Sequence, residues 1–278
     1  MENHAALPSQ DGFLRRDTLT ERNADIVAGF NWAERVLYRF SKDPQDVFVE
    51  RGYRKPTAQW TSSTALRELN EAFPNFKSLI RGKGVLDYGC GDGFQAVAMA
   101  EAGAAFVLGV DIEPRRLDHG RRMARGMPNV VFATEAQGEF DVAISLNSFE
   151  HFPEPEKNLD ELAASIAPGG LILITFGSPW LSPYGSHMNF FTQVPWVNVL
   201  FSERTVFQVR RLYRDDLSRT YIPAVNKMTI GRFERIIEKS GLKVVSLEYK
   251  AVKDLPVLAR IPGAREFFIN RVSCVLTT

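Results

Sequence analysis

Two acidic residues and a run of glycines have types and spacings that could bind a ligand. Asp87 precedes glycines at every second position, in the stretch Asp87-Tyr88-Gly89-Cys90-Gly91-Asp92-Gly93. Glycines at a turn let the backbone approach a ligand closely, and they present N–H groups beside a helix N-terminus. A carboxylate at this position suits a cationic amino group through a charge-assisted contact, whereas it would repel a pyrophosphate.

The second acidic residue, Asp111, ends an apolar segment and follows Gly89 by 22 residues. An acidic residue about 20 positions after a glycine loop is placed to accept hydrogen bonds from ribose hydroxyls. The dinucleotide fingerprint G-x-G-x-x-G requires a third glycine at position 94, where this chain has Phe94. A ribose, an amino-acid end and no phosphate together describe S-adenosyl-L-methionine.

Strands and helices that alternate along the chain must position these residues. Apolar strands separated by helix-length segments predict a parallel α/β sheet that is covered on both faces. A helix capped by Thr229 and ended by Gly241 precedes two last strands. The predicted strands are 84–88, 106–110, 129–133, 140–145, 170–176, 242–247 and 271–276, and the predicted helices include 24–40, 64–73, 94–102, 114–125 and 156–166.

Four landmarks between residues 80 and 176 resemble, in order and spacing, the class I S-adenosylmethionine-dependent methyltransferases. The resemblance implies a Rossmann-like, seven-stranded, mostly parallel sheet with helices on both faces and an antiparallel finish. To these features the chain adds a helical N-terminal segment and an inserted lid. The matching stretches are Asp87 to Gly93, Gly109 to Ile112, Phe140 to Ser145 with Glu150-His151-Phe152 after it, and Ala167-Pro168-Gly169-Gly170 before a strand.

The resemblance also implies which residues bind S-adenosyl-L-methionine. The methionine part would be held at the glycine loop, the ribose at the second acidic residue, and the adenine beside it. At the adenine edge this chain has Thr134-Glu135-Ala136, where the family often has an aspartate, so that contact is the weakest of the set. The expected cofactor residues are Asp87, Gly89 and Gly91 for methionine, Asp111 for ribose, Ile112 and Glu135 for adenine, and Ser145 and Leu146 beside the methyl group.

Methyl transfer needs mainly the orientation of the reactants, but an alcohol acceptor also benefits from a base. The chain has four histidines, of which His4 lies in the terminal segment and His119 on the solvent side of an arginine-rich helix. The arginines of that helix, Arg116 among them, are interpreted as a solvated face. His151 follows Glu150 just after the fourth strand, and His187 lies in the aromatic-rich insertion. We therefore consider His187, His151 and Glu150 as catalytic candidates. For each histidine a structural role remains the alternative, and the choice of base stays open.

Residues 177–227 are rich in aromatics and prolines where the minimal fold has a short connection, so they are interpreted as an inserted lid. The aromatic side chains could equally form the small core of that segment. The expected organisation is an N-terminal helical segment (1–80), a cofactor-binding core (81–176), the lid (177–227) and the C-terminal part of the core (228–278).

The composition favours a small-molecule substrate over a macromolecule. The net charge is +1, which favours neither nucleic acid nor a membrane surface. Two cysteines, a polar start and the lack of a long apolar run predict a cytoplasmic protein with no disulfide framework and no membrane insertion. No spacing predicts a metal site, and an oligomer is compatible with the sequence.

The leading hypothesis is a methyltransferase that acts on an oxygen of a sugar or a natural-product intermediate. One alternative is transfer to nitrogen, or to a protein or tRNA. Another, of a different class, is a non-catalytic protein that retains the cofactor site or supports a partner.

Overall fold

The computed structural model of the chain describes residues 24–42, 61–213, 225–252, 256–261 and 263–278. These residues form two compact units: one comprises 61–179 with the described residues after 224, and the other comprises 24–42 with 180–213. Part of the predicted N-terminal segment (1–23 and 43–60) and part of the predicted lid (214–224) lie outside the described residues. The four segment boundaries therefore stay predictions.

The larger unit contains a seven-stranded sheet in the order β3-β2-β1-β4-β5-β7-β6. The first five strands run parallel, and β7 pairs antiparallel with both β5 and β6. This confirms the predicted Rossmann-like, mostly parallel sheet with an antiparallel finish. The strands are β1 Gly84–Tyr88, β2 Phe106–Val110, β3 Val130–Ala133, β4 Phe140–Leu146, β5 Ile166–Gly177, β6 Lys243–Ala251 and β7 Ile269–Thr277.

Helices cover both faces of the sheet because successive strand residues point to opposite sides. In β1, Val85 packs into one hydrophobic cluster and Leu86 into the other. The helices of this unit are α3 Ser62–Ala72, α4 Phe76–Ile80, α5 Phe94–Glu101, α6 Pro114–Met123, α7 Pro155–Ala164, α10 Ile230–Ser240, α11 Pro256–Ala259 and α12 Arg265–Phe268. The cluster with Val85 also contains residues from α3, α4, α5 and α6, and the cluster with Leu86 contains residues from α7 and α10.

The ends of α10 are set by the predicted residues. The Thr229 hydroxyl accepts the Arg232 N–H at 3.1 Å, and Gly241, with φ 72°, ends the helix in the left-handed region. Three predicted boundaries were wrong. The segment 24–40 forms two helices, because Asn31 caps a new helix that begins at Trp32, and β6 runs to Ala251 instead of 247. The strand β5 begins at Ile166 and not near 170, because Ile166 already pairs with Phe140 of β4 before the register shifts. Strand pairing at this point overrides the turn that Pro168 and two glycines suggest.

The smaller unit joins two segments that are far apart in sequence. Ser41 pairs with Thr192, and the Lys42 N–H donates to the Phe191 carbonyl at 2.7 Å. The Ser41 hydroxyl bonds to the Tyr213 hydroxyl, and the Tyr213 ring stacks on Phe191 at 5.4 Å between centroids. Its helices are α1 Ala24–Ala28, α2 Trp32–Arg39, α8 Val197–Leu200 and α9 Glu203–Arg210.

No helix in the described part of the chain has the length and apolar character needed to cross a membrane. Across the same residues, no three histidine, cysteine or acidic side chains cluster in a way that could hold a metal ion.

Candidate functional site

The glycine loop between β1 and α5 is bound to the end of β2 by its own backbone. The N–H groups of Gly89 and Cys90 both donate to the Val110 carbonyl, at 2.8 and 2.9 Å. The Gly91 N–H donates to Oδ2 of Asp111 at 2.9 Å. These bonds fix the loop at the carboxyl ends of two neighbouring strands, where ligands bind in open α/β sheets.

Gly89 also contacts the turn that follows β4. Its φ is 79°, and a Cβ added there would lie 2.6 Å from Cβ of Ser148. The Ser148 hydroxyl donates to the Gly89 carbonyl at 2.9 Å. Both the backbone angle and the close approach therefore require glycine at this position.

Asp87 ends β1 with its carboxyl group almost completely buried. Its side chain is 2% exposed, and its Oδ2 has no hydrogen-bond partner among the residues that the structure describes. Burial and, after it, the negative charge of Asp111 raise the pKa of Asp87 to about 7, although a hydrogen bond from the Ala96 backbone opposes the shift. A buried carboxylate without a partner is costly, so a cationic ligand group at Oδ2 would be stabilised there.

Asp111 lies across the loop from Asp87, and both of its oxygens bind backbone N–H groups. Oδ2 accepts from Gly91 and Oδ1 accepts from Glu113, each at 2.9 Å. A carboxylate has about four acceptor sites, so each oxygen retains capacity for a further donor. The next side chain, Ile112, is 87% exposed and leaves an apolar surface beside the carboxylate. The predicted ribose and adenine contacts are compatible with this arrangement and stay predictions.

The other expected cofactor residues differ in exposure. Ser145 and Leu146 end β4 and are buried, and the Ser145 hydroxyl has no partner in the described part of the chain. The following residue, Asn147, has φ 52° and donates its N–H to the Thr175 carbonyl at 2.8 Å. Glu135 is exposed in the loop after β3. Ser145 and Leu146 thus lie on the strand beside β1, with Glu135 beyond β2.

Glu150 and His151, adjacent in sequence, have very different environments. Both belong to a short 3₁₀ turn, Phe149–His151, that follows β4. Glu150 is 3% exposed, its Oε1 accepts the Gly177 N–H at 3.4 Å, and its Oε2 is unpartnered within the described residues. Burial raises its pKa to about 8, although its own N–H and that of Gly177 oppose the shift. His151 is exposed.

Asn226, which the sequence analysis did not predict as a site residue, holds this turn. Its side-chain amide donates to the carbonyls of Phe149 at 3.0 Å and Phe152 at 2.8 Å. Its backbone N–H donates to the Glu150 carbonyl at 2.8 Å. No local pattern could have indicated this role, because the contacts join parts of the chain more than 70 residues apart.

Helix α6 also contacts the glycine loop, which the sequence did not indicate. His119 was expected on the solvent side, but its Nδ1 lies 3.1 Å from the Asp92 carbonyl oxygen. Arg116, one helical turn earlier, was assigned to a solvated face and lies beside Gly91. The spacing of Arg116, His119 and Gly120 on one helix face was the available signal.

His187 belongs to the smaller unit. Its N–H donates to the Tyr184 carbonyl at 3.0 Å, its φ is 54°, and its side chain is half-buried. The buried neighbours Ser186 and Met188 fix the backbone around it. The structure thus places His187 in an ordered turn, and its catalytic role stays a prediction.

Comparisons with known proteins agree with the geometry of the larger unit. Residues 58–247 match a family model described as a methyltransferase domain. An uncharacterized methyltransferase of Mycobacterium bovis is 30% identical over 273 residues, which cover 96% of this chain and 98% of that protein.

Other similarities are shorter or purely structural. A ubiquinone biosynthesis O-methyltransferase of Bordetella avium is 34% identical over 105 residues, 34% of this chain and 43% of that protein. The chain thus spans less than half of the length of several curated relatives that it matches. The crystal structure of a protein from Listeria monocytogenes, described as a putative S-adenosylmethionine-dependent methyltransferase, superposes with a TM-score of 0.52 at 16% identity, covering 78% of this chain and 99% of that one.

Proposed function

Because the chain belongs to the class I S-adenosylmethionine-dependent methyltransferases, we propose that it transfers a methyl group from S-adenosyl-L-methionine to an oxygen of a small organic acceptor. A sugar or a natural-product intermediate is the acceptor class that we favour. A cytoplasmic location belongs to the same proposal.

The unpartnered Oδ2 of Asp87 is the observation that carries the proposal. It is buried at the end of β1, beside a loop whose glycines admit a ligand. An ammonium group supplies the positive charge and the hydrogen-bond donors that this oxygen lacks among the described residues. S-Adenosyl-L-methionine carries such a group at its amino-acid end, so the residues present fit the cofactor.

The proposed binding residues fall into four groups, one for each part of the cofactor. When bound, S-adenosyl-L-methionine supplies an electrophilic methyl group on a positively charged sulfur. The protein's contribution is to hold and align this group, which can account for much of the rate enhancement. The methionine part is assigned to Asp87, Gly89 and Gly91, the ribose to Asp111, the adenine to Ile112 and Glu135, and the neighbourhood of the methyl group to Ser145 and Leu146.

Glu150 and the histidines are proposed for the acceptor. With a pKa of about 8, Glu150 is mostly protonated at neutral pH and can donate a hydrogen bond to an acceptor oxygen. Its ionised fraction is a stronger base than an ordinary carboxylate. His151 and His187 are alternative bases, and the aromatic segment that contains His187 is proposed to bind substrate.

Two observations support oxygen as the acceptor atom and a small molecule as the substrate. The similar Bordetella avium protein is named an O-methyltransferase. The near-zero net charge gives no electrostatic attraction for nucleic acid.

Titration calorimetry of cofactor binding tests the role of Asp87. A carboxyl group with a pKa of about 7 in the free protein must ionise to bind an ammonium group. Binding then releases a proton, so we expect wild-type affinity for S-adenosyl-L-methionine to rise about tenfold between roughly pH 5.5 and pH 7. Asp87→Asn should bind more weakly and lack that rise. Asp118→Asn is the control, because Asp118 is exposed and pairs with Arg121 on α6.

Acceptor assays test the reaction itself. The wild-type protein with S-adenosyl-L-methionine should methylate hydroxylated small molecules and not matched amines, peptides or tRNA. Methylation of an amine, a peptide or tRNA instead would overturn the proposed acceptor. Cofactor binding without transfer to any acceptor class would favour the non-catalytic alternative. A wild-type protein that does not bind the cofactor would end the proposal.

A further inference from the structure

One face of α6 packs on the glycine loop. Gly120 is so close that a Cβ added to Gly93 would lie 2.8 Å from its Cα. His119 contacts the Asp92 carbonyl, and its ring packs at 5.6 Å from that of Phe94. Residues three and four apart share a helix face, so Arg116 lies on the same side as Gly120.

The guanidinium group of Arg116 reaches the loop at Gly91. A Cβ added to Gly91 would lie 3.1 Å from Nη1 of Arg116. The positive charge of Arg116 is also near enough to lower the pKa of Cys90, although burial dominates and raises it. Gly91 is assigned to the methionine part, but its N–H donates to Asp111, the proposed ribose ligand. The guanidinium of Arg116 therefore lies on the side of the loop that faces the proposed ribose site.

Arg116 and Asp111 offer complementary hydrogen-bonding chemistry at this position. A carboxylate only accepts hydrogen bonds, and a guanidinium only donates them. A hydroxyl group both donates and accepts, so one ribose hydroxyl can donate to Asp111 while accepting from Arg116. The planar guanidinium also stacks well on aromatic surfaces such as adenine.

The Arg116 side chain is available for this role. It is exposed, and it forms no hydrogen bond or ion pair with any other residue that the structure describes. By contrast, Arg121 on the same helix binds both Asp118 and the Phe132 carbonyl. An unpaired cation held against the loop can bind a ligand without first breaking an internal pair.

We propose that Arg116 is a cofactor-binding residue that contacts the adenosine part of the cofactor, an inference that rests on the proposed function. The contact is to the nucleoside and not to the α-carboxylate, because Arg116 lies beside Gly91 and its partner Asp111.

Calorimetry with two ligands distinguishes the two contacts. S-Adenosylhomocysteine contains both the adenosine and the amino acid, whereas 5′-methylthioadenosine contains the adenosine without the amino acid. We expect Arg116→Ala to weaken the binding of both ligands about tenfold, as for the loss of a charge-assisted hydrogen bond. Arg115→Ala is the matched control, since Arg115 is the exposed neighbour on the same helix, and it should bind both ligands as the wild type does.

Each remaining outcome decides the inference. Unchanged binding by Arg116→Ala, or weaker binding of S-adenosylhomocysteine alone, would overturn it while leaving the proposed function intact. A wild-type protein that binds neither ligand would overturn both. Thermal unfolding checks that the variants are folded. If Arg116→Ala is not, Arg116→Lys decides: the charge remains but the planar donor fork is lost, so intermediate affinity for both ligands is expected.

Discussion

Two carboxyl groups are buried near the carboxyl ends of neighbouring strands, β1 and β4, and they are buried by different means. At the glycine loop, Asp87 ends a strand within a seven-residue motif, and residues close in sequence build its surroundings. At the 3₁₀ turn, Glu150 is buried by Gly177 at the end of β5 and by the turn that Asn226 holds. Burial is the largest cause of the raised pKa in both.

The difference lies in what balances each buried carboxyl group. Asp87 lies beside a second carboxylate, Asp111, and opposite a loop that a cationic ligand can approach. Among the described residues, only backbone N–H groups oppose the rise in the pKa of Glu150, so this carboxyl group stays buried mainly by retaining its proton. The glycine loop is therefore suited to binding charge, and the turn is suited to holding or moving a proton.

Substitution at Gly89 should give the largest effect, because it disrupts the loop directly. Gly89→Ala adds the cost of a left-handed angle to a clash with Ser148, together about 3 kcal/mol of lost stability. Gly82→Ala is the control for the angle alone: its φ is 70° and nothing lies within 4 Å of an added Cβ. We expect it to cost only about 1 kcal/mol in urea unfolding.

A double variant sharpens this result. Combining Gly89→Ala with Ser148→Gly removes the clash and should recover part of the stability. If Gly89→Ala and Gly82→Ala lose the same stability, the inference that the glycine loop packs closely against Ser148 is wrong.

Replacing Glu150 should change how stability depends on pH. The folded-state pKa of about 8 lies well above the ordinary value near 4.3. The carboxyl group therefore supports the folded state below about pH 4, and this support is lost progressively as the pH rises to about 8. Glu150→Gln stays neutral, so it should exceed the wild type in stability by about 2 kcal/mol at pH 6 and match it near pH 4.

Urea unfolding across this pH range measures the difference between the two proteins, which isolates Glu150 from Asp87. Parallel curves of stability against pH for the two proteins would mean that Glu150 ionises freely in the folded protein. The proposed contrast between Asp87 and Glu150 would then fail.

Asn226 should give the smallest effect. Asn226→Ala removes two donated hydrogen bonds from the 3₁₀ turn, but it also removes a buried Oδ1 that has no partner among the described residues. The net cost should be about 1 kcal/mol. Asn70→Ala is the control, because among the described residues the Asn70 amide bonds only within its own helix, to the Leu66 carbonyl. Equal losses in thermal unfolding would show that Asn226 does not hold the turn specifically.

The amino-acid sequence by itself determined the glycine loop, the two strand-end carboxylates and the alternation of strands and helices. Each is a local property that depends on residues near one another in the chain. Examples are the offset from Asp87 to the glycines, the spacing to Asp111, and the boundaries of α10 at Thr229 and Gly241. Local spacing also predicted that the first five strands run parallel, since strands joined by helices pair in parallel.

Only the tertiary structure decided the burial of Glu150, the hydrogen bonds from Asn226 to the 3₁₀ turn and the position of Arg116 beside Gly91. It also decided that residues 24–42 pack with 180–213 in one unit, through Ser41, Phe191 and Tyr213. These features depend on contacts between distant parts of the chain. Such contacts form only when the sheet and its helices assemble, and no periodicity or motif in the sequence encodes which distant residues will meet.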